Sequence, residues 1–313
     1  WAASAVVPTG LQQQLLLIAA LVLAGVGTGL LVRRAGPAAA AAAAWLAIWN
    51  PYVTERLLLG HGPTLLGYGS LPWIVLVLRS NLRTAHRLLL LVAVALPAAL
   101  TPWGGVVALV TAVLADLSRG DRRVARTIGV AVVSVTWCLP WAIPAILVGG
   151  VGADPDGPAA FALADDSGLG TWVSALMGGG VWAVGAQPLS RSDPIALTGS
   201  LALLGIAFAV VVGLTLAARR AAAHPRRATV VAVVALGLLV GPATVGWWAS
   251  GPGLDVMATL QQVPGVALFR DQHRMLAPGV LALAGLVGLA VGNVFRRGGR
   301  AASGLGCILV VAL

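Results

Sequence analysis

The chain has 313 residues, 59% of them hydrophobic and only 10% charged, with a mean hydropathy of +0.94. A soluble domain has about a quarter of its residues charged, so this composition excludes an ordinary soluble protein and points to an integral membrane protein. The net charge of +10 rests on 20 arginines without a single lysine; they cluster beside apolar runs, which gives them a membrane explanation rather than a nucleic-acid one.

Charge-free apolar runs alternate with short arginine clusters along the chain. Residues 12–32 are long enough to span a bilayer, which takes about 20 residues, and stop at Arg33-Arg34. Residues 35–49 form a shorter, Ala-rich run that breaks at Asn50-Pro51, because the residue before proline disfavours helix. The stretch Glu55-Arg56 through His61 follows, with a short helix expected through Leu59. Residues 62–78 end in Arg79, Arg83 and Arg87, and 88–117 are interrupted by Thr101-Pro102-Trp103-Gly104-Gly105. After Arg119, Arg122, Arg123 and Arg126, residues 127–148 lead into a polar stretch reaching Asp193. Two further runs, 195–218 and 228–250, are separated by Arg219-Arg220 and Arg226-Arg227. A second polar segment ends near Arg274. Residues 275–295 precede Arg296-Arg297, and a last run begins after Arg300. Pro140, Pro144 and Pro242 predict kinks.

Arginines of short loops stay cytoplasmic. With Arg33-Arg34 inside, every later cluster also falls inside, provided 88–117 crosses twice as a hairpin turning at residues 101–105. Four arginines are then outside, namely Arg56, Arg191, Arg270 and Arg274, together with Glu55, Asp154, Asp156, Asp165, Asp166, Asp193, Asp255 and Asp271. The fold expected is an all-α polytopic transmembrane bundle of about ten crossings, several of them short or re-entrant, with extracytoplasmic loops. Trp45, Trp49, Trp103, Trp247 and Trp248 fall at outer ends, as an interfacial belt requires. Residues 1–313 read as one transmembrane domain of a longer chain, with its N-terminal end outside and its last helix incomplete. The Ala, Gly and Arg richness suits a high-GC bacterial genome, and the location expected is the bacterial plasma membrane. Cys138 and Cys307 lie in apolar runs and define neither a disulfide framework nor a metal site.

The runs 35–49 and each arm of 88–117 supply only about 20 Å of helix against a hydrocarbon core of about 30 Å. The shortfall lies at the outer side, which predicts a recess there. Backbone below the membrane surface is tolerated where protein or a water-filled cavity surrounds it. Three constellations face that side. Glu55, Arg56 and His61 come first, with Arg56 suited to phosphate recognition or to a structural pairing. Arg270, Asp271, His273 and Arg274 come second, offering anion binding or helix capping. The third is Asp165-Asp166 with the glycines of 168–180. These acids read either as solvated loop residues or as ligands of a divalent metal, the one cofactor the pattern allows.

The series Asn50-Pro51-Tyr52-Val53, Glu55-Arg56-Leu57, Gly60-His61, Leu66-Gly67-Tyr68 and Leu71-Pro72-Trp73 resembles multi-spanning membrane proteins of the GT-C glycosyltransferase-like superfamily from actinobacteria and archaea. Gly178-Gly179-Gly180-Val181-Trp182 and Leu268-Phe269-Arg270-Asp271 are similar to outer-loop motifs of that group. The resemblance implies transfer of a sugar from a polyprenyl-phosphate donor to a cell-envelope acceptor on the outer face. It places the catalytic acid in the first large outer loop, upstream of Trp1, so the catalytic residue is not identified in this sequence. Arg56 with Arg270 or Arg274 would bind the lipid phosphate, and Glu55, His61 and Asp271 would orient sugar hydroxyls. Membrane lipids are the other partners expected. A transporter or flippase of a lipid-linked solute, and a non-catalytic scaffold of the same fold, are the competing readings.

Overall fold

The computed structural model describes residues 7–117, 124–147, 154, 156–220 and 225–297. Among these residues every regular element is helical. In chain order they are α1 (Thr9–Val32), α2 (Pro37–Ile48), α3 (Pro51–Leu58), α4 (Gly62–Arg79), α5 (Thr84–Ala99), α6 (Pro102–Leu117) and α7 (Val124–Thr136). They continue as α8 (Leu139–Leu147), α9 (Gly157–Ala160), α10 (Thr171–Leu176), α11 (Pro194–Arg220), α12 (Pro225–Ser250), α13 (Leu254–Leu260) and α14 (Ala277–Arg297). Cys307, Arg119, Arg122, Arg123, Asp121 and Arg300 lie outside the described residues.

Among the described residues the ten expected crossings are not found; the run after Arg300 lies outside them. Four of the described stretches are long and apolar enough to cross a membrane: Thr9–Ala35, Pro194–Ala217, Val233–Ser250 and Gln272–Arg296. A fifth is present if α7 and α8, bent by 61° at their junction, form one broken span. The difference has a physical cause in each remaining helix. With 12 residues α2 reaches about 18 Å, and α5 and α6, with 16 each, about 24 Å. The first half of α4 is continuous helix but carries Pro63, Thr64, Gly67, Tyr68, Gly69 and Ser70, which lower its apolar character. Apolar character therefore counted more crossings than helix length sustains. The turn expected within 101–105 falls at Leu100-Thr101, between α5 and α6.

Around α1 and α2 small residues lie inside, whereas α4 buries Leu65, Leu71, Ile74 and Leu78. Along α1, Leu11, Leu15, Ile18, Val22 and Val26 form an exposed stripe at helical spacing, whereas Ala20, Ala24, Gly25, Thr28 and Gly29 are buried. Small residues let helix backbones approach where lipid leaves no hydrophobic drive between helices. The same device seats α14 on α2: a β-carbon at Gly288 would come within 2.7 Å of the Ala39 carbonyl oxygen, and one at Gly292 within 2.6 Å of that of Ala35.

Short connections make successive helices antiparallel, so the loops gather at two ends. One end holds the 33–35 turn, and there Arg296 donates to the Ala35 carbonyl at 2.9 Å. The same end carries the Arg126–Asp116 pair at 2.6 Å. The other end collects α3, the α5–α6 turn, the 157–193 loop and the segment 251–276. There Phe269 meets Trp103 and Trp141 edge-on, with ring centroids 5.1 and 5.7 Å apart. It is called the α3 end below.

Candidate functional site

The site begins with a helix cap. Asn50 stops α2 and starts α3: its extended backbone breaks the helix, and its Oδ1 accepts from the Val53 N–H at 3.0 Å. Its Nδ2 donates back to the Leu46 and Ala47 carbonyls at 2.9 and 3.1 Å. Pro51 is pre-set for the first helical position. Both orphan ends at this corner are thus satisfied by one side chain, which fixes the direction of α3. That direction turns Tyr52, Val53, Glu55 and Arg56 inward.

Facing α3 is the tight 3-10 turn Gln272–Leu276 that leads into α14. Arg56 donates from Nη1 to Asp271 Oδ2 at 2.9 Å and from Nη2 to Asp271 Oδ1 at 3.2 Å. This is the two-pronged pairing that guanidinium and carboxylate geometry favours. Arg56 also donates to His61 Nδ1 at 2.9 Å and His273 Nδ1 at 2.7 Å. Both imidazoles accept at that nitrogen, which leaves their N–H on Nε2. Arg274 donates from Nε to Asp271 Oδ2 at 2.8 Å. Two motifs more than 200 residues apart therefore close into one cluster of Arg56, His61, Asp271, His273 and Arg274.

Glu55 completes it from the other side. His273 Nε2 lies 2.8 Å from Glu55 Oε2, in close polar contact without the alignment of a hydrogen bond. Both Glu55 oxygens are buried and lack a hydrogen-bonded partner. Burial, reinforced by the Asp166 carboxylate and opposed by Arg191 and Arg56, raises the Glu55 pKa to about 9, so at neutral pH it is an uncharged acid. Asp271 behaves oppositely. Burial would raise it, but Arg56 and Arg274 outweigh that and hold it well below the usual carboxylate range. His61, desolvated and beside Arg56 and Arg274, falls to about 4 and is neutral.

Aromatic rings wall the cluster. Tyr52 stacks on His273 with centroids 5.3 Å apart and planes 10° apart, and its other neighbour is Tyr68 at 5.4 Å. Tyr52, Thr64, Tyr68, Thr101, Trp103 and Arg274 line a small cavity of about 20 Å³, room for roughly one water. Arg274 is the cluster's cation with exposed surface, 23% of its side chain, while Arg56 has none. Arg270 is not drawn in: it is exposed, with its guanidinium carbon 4.7 Å from the centre of the Phe161 ring.

The glycine triplet closes the site from behind. Gly178 and Gly180 adopt φ of +78° and +87°, which residues with a side chain rarely adopt. A β-carbon on Gly179 would come within 2.5 Å of Asp166 Oδ2 and 2.6 Å of Arg191 Nη2. Asp166 and Arg191 pair across it at 2.8 Å, clasping the loop onto the cluster. The two adjacent acids thus serve different ends. Asp165 accepts from the Gly168 and Gly170 N–H groups and from Ser174, which lower its pKa against the effect of burial. Asp166 holds Arg191. No group of three or more His, Cys, Asp or Glu suited to a metal occurs among the described residues.

The sequence did not single out Arg191, Asn50, Tyr52 or Tyr68 for this site. For Arg191 the signal was available, since it is one of four arginines that the charge rule assigns to the outer side. For the tyrosines the signal was only their place in the motifs that carry the resemblance, because an aromatic near lipid reads first as an anchor.

A second and larger space, a groove of about 500 Å³, runs between α2, α11 and α14. Leu46, Leu203, Val280, Leu283 and Ala284 line its apolar part; Thr54, Ser190, Arg191 and Asp193 lie at its polar end. Pro51 and Thr54 of α3 border this groove and Tyr52 borders the small cavity, so α3 stands between the two. No protein-family model, curated protein or solved structure matches the chain.

Proposed function

We propose that the protein is a membrane glycosyltransferase-like protein that takes a sugar from a polyprenyl-phosphate donor and transfers it to a cell-envelope acceptor at the outer face of the plasma membrane. The observation that carries this reading is the meeting of the 50–61 and 270–274 motifs, through which the resemblance runs, in one cluster of ionisable groups at the α3 end. Ionisable groups retained in a membrane domain are a functional-site hypothesis by default. In this reading Arg274, exposed at the small cavity, meets the departing phosphate, and stabilising that developing charge is its contribution. Arg56, whose charge Asp271 already neutralises, acts by holding Asp271 and both histidines in place. Glu55, uncharged, would meet a sugar hydroxyl once the clasp over Gly179 opens. The small cavity admits about one water, so donor binding requires the cluster to open toward Arg274.

The test uses the full-length protein in proteoliposomes, with release of sugar from a radiolabelled polyprenyl-phosphate donor as the readout. Arg274→Gln is expected to lower turnover by about 100-fold, the size of effect that losing one oxyanion-type donor has, with folding unchanged. Wild-type turnover by that variant would remove Arg274 from the mechanism, and absence of any transfer by the wild type would sink the reading. A lipid-linked-solute transporter is the second reading, favoured by the 61° break between α7 and α8, because broken helices are a transporter feature. It would show as movement of an intact donor across the bilayer without transfer.

A further inference from the structure

The groove between α2, α11 and α14 has a shape and a charge that together select an occupant. From Asp193 to Leu203 its wall follows α11 for about 15 Å at 1.5 Å per residue. Its volume of about 500 Å³ falls in the range of ligand pockets. The depth is apolar and the end beside α3 is polar, which is the outline of an amphiphile lying with its chain along α14 and its head at α3.

Charge decides which head. Among the described residues Arg191 is the one cation lining the groove, and it is already paired with Asp166 at 2.8 Å. Asp193 also lines the groove, exposed, with its Oδ1 accepting from the Ile195 and Ala196 N–H groups at the start of α11. The helix N-terminus contributes about half a positive charge, less than Asp193 contributes in negative charge. The polar end is therefore neutral to slightly negative, and it repels a phosphate. What it does offer is hydroxyl and carboxylate oxygens on Thr54, Ser190 and Asp193, and the indole of Trp49, which lines the groove and is 61% exposed. An exposed indole suits the apolar face of a pyranose ring, and hydroxyls with a carboxylate suit its polar edge.

We propose that this groove binds an amphiphile with an uncharged polyhydroxylated head, its chain against Leu203, Leu283 and Val280 and its head between Trp49, Ser190 and Asp193. The groove is distinct from the Arg274 cavity, from which α3 separates it. The inference does not rest on sugar transfer, since it concerns only which head the groove prefers.

The experiment uses the full-length protein in nanodiscs of zwitterionic phospholipid. Two probes with the same diazirine-tipped alkyl chain are compared, an alkyl glucoside and an alkyl phosphate, and crosslinks are located by mass spectrometry. The glucoside is expected to label Leu203 and Leu283, with excess unlabelled glucoside competing it away and the phosphate labelling these positions far less. Ser200→Trp, which fills the groove from a partly exposed position, is expected to lose most of that labelling. Asp193→Asn, which keeps the cap oxygen but removes the charge, is expected to raise phosphate labelling. Stronger labelling by the phosphate in the wild type overturns the proposal in favour of an anionic lipid site. Glucoside labelling that Ser200→Trp leaves unchanged, or that is equal at exposed Leu89 on α5, overturns it as bulk lipid contact.

Discussion

Arg56 was legible in the sequence as a charge out of place, and the reason for its retention lies in what surrounds it. A buried guanidinium is tolerable only when paired and hydrogen-bonded, and Asp271, 215 positions away, provides both. Removing one member of a buried pair leaves the other uncompensated, at a cost of about 3–5 kcal/mol. Asp271→Ala is therefore expected to lower thermal stability strongly, whereas Arg56→Met combined with Asp271→Leu recovers most of the loss. A denaturation series in which the double variant is no more stable than the single one would contradict this account. The same residues set the pH response. Glu55 has a folded pKa of about 9, above its ordinary 4.5, so its contribution is full below 4.5 and is lost as pH rises through 9. His61 has a folded value of about 4, below its ordinary 6.5, so its contribution is full above 6.5 and is lost as pH falls through 4. Their slopes oppose each other between about 4.5 and 6.5. Above 6.5 stability should decline toward 9, and Glu55→Gln should abolish that decline in a melting-temperature profile.

At the scale of elements, the helix ends were readable because they are written in local chemistry. Asn50-Pro51 marks a stop and a start because the residue before proline disfavours helix and Asn caps the next one, and α3 begins at Pro51. The glycine triplet likewise announced a special backbone, but its purpose appeared only with the Asp166–Arg191 pair lying on Gly179. Gly179→Ala is expected to prise that pair apart and release the 157–193 loop, read as faster limited proteolysis there with the bundle helices still protected. Unchanged cleavage would mean that the pair tolerates the methyl group. The contact of α14 with α2 is equally exacting. Overpacking costs about 1–3 kcal/mol, so Gly288→Val, directed at Ala39 and Ala43, should lower the melting temperature, while Gly237→Val, which meets nothing within 4 Å, should leave it unchanged.

For the whole molecule, the arginine distribution is the ground on which we propose that the 33–35 end is cytoplasmic and the α3 end outside. Cysteine substitutions decide the matter: in right-side-out vesicles an impermeant maleimide is expected to label Ser190→Cys and not Arg34→Cys, and the reverse pattern would invert the molecule. What the sequence by itself determined was everything that depends on composition and near neighbours. That covers the membrane-type apolar helices, the helix-breaking corner at Asn50-Pro51, the shortness of α2, α5 and α6, and the two motifs rich in ionisable residues. The count of crossings failed because hydropathy measures how apolar a segment is, whereas spanning also needs uninterrupted length. Tertiary structure alone decided that Glu55, Arg56 and His61 meet Asp271, His273 and Arg274 while Arg270 turns aside to Phe161. It also decided that Arg56 is spent on Asp271 and that α3 separates a cavity from a groove. These are consequences of packing between distant helices, and a linear pattern of residue types does not encode which helix ends come to lie side by side.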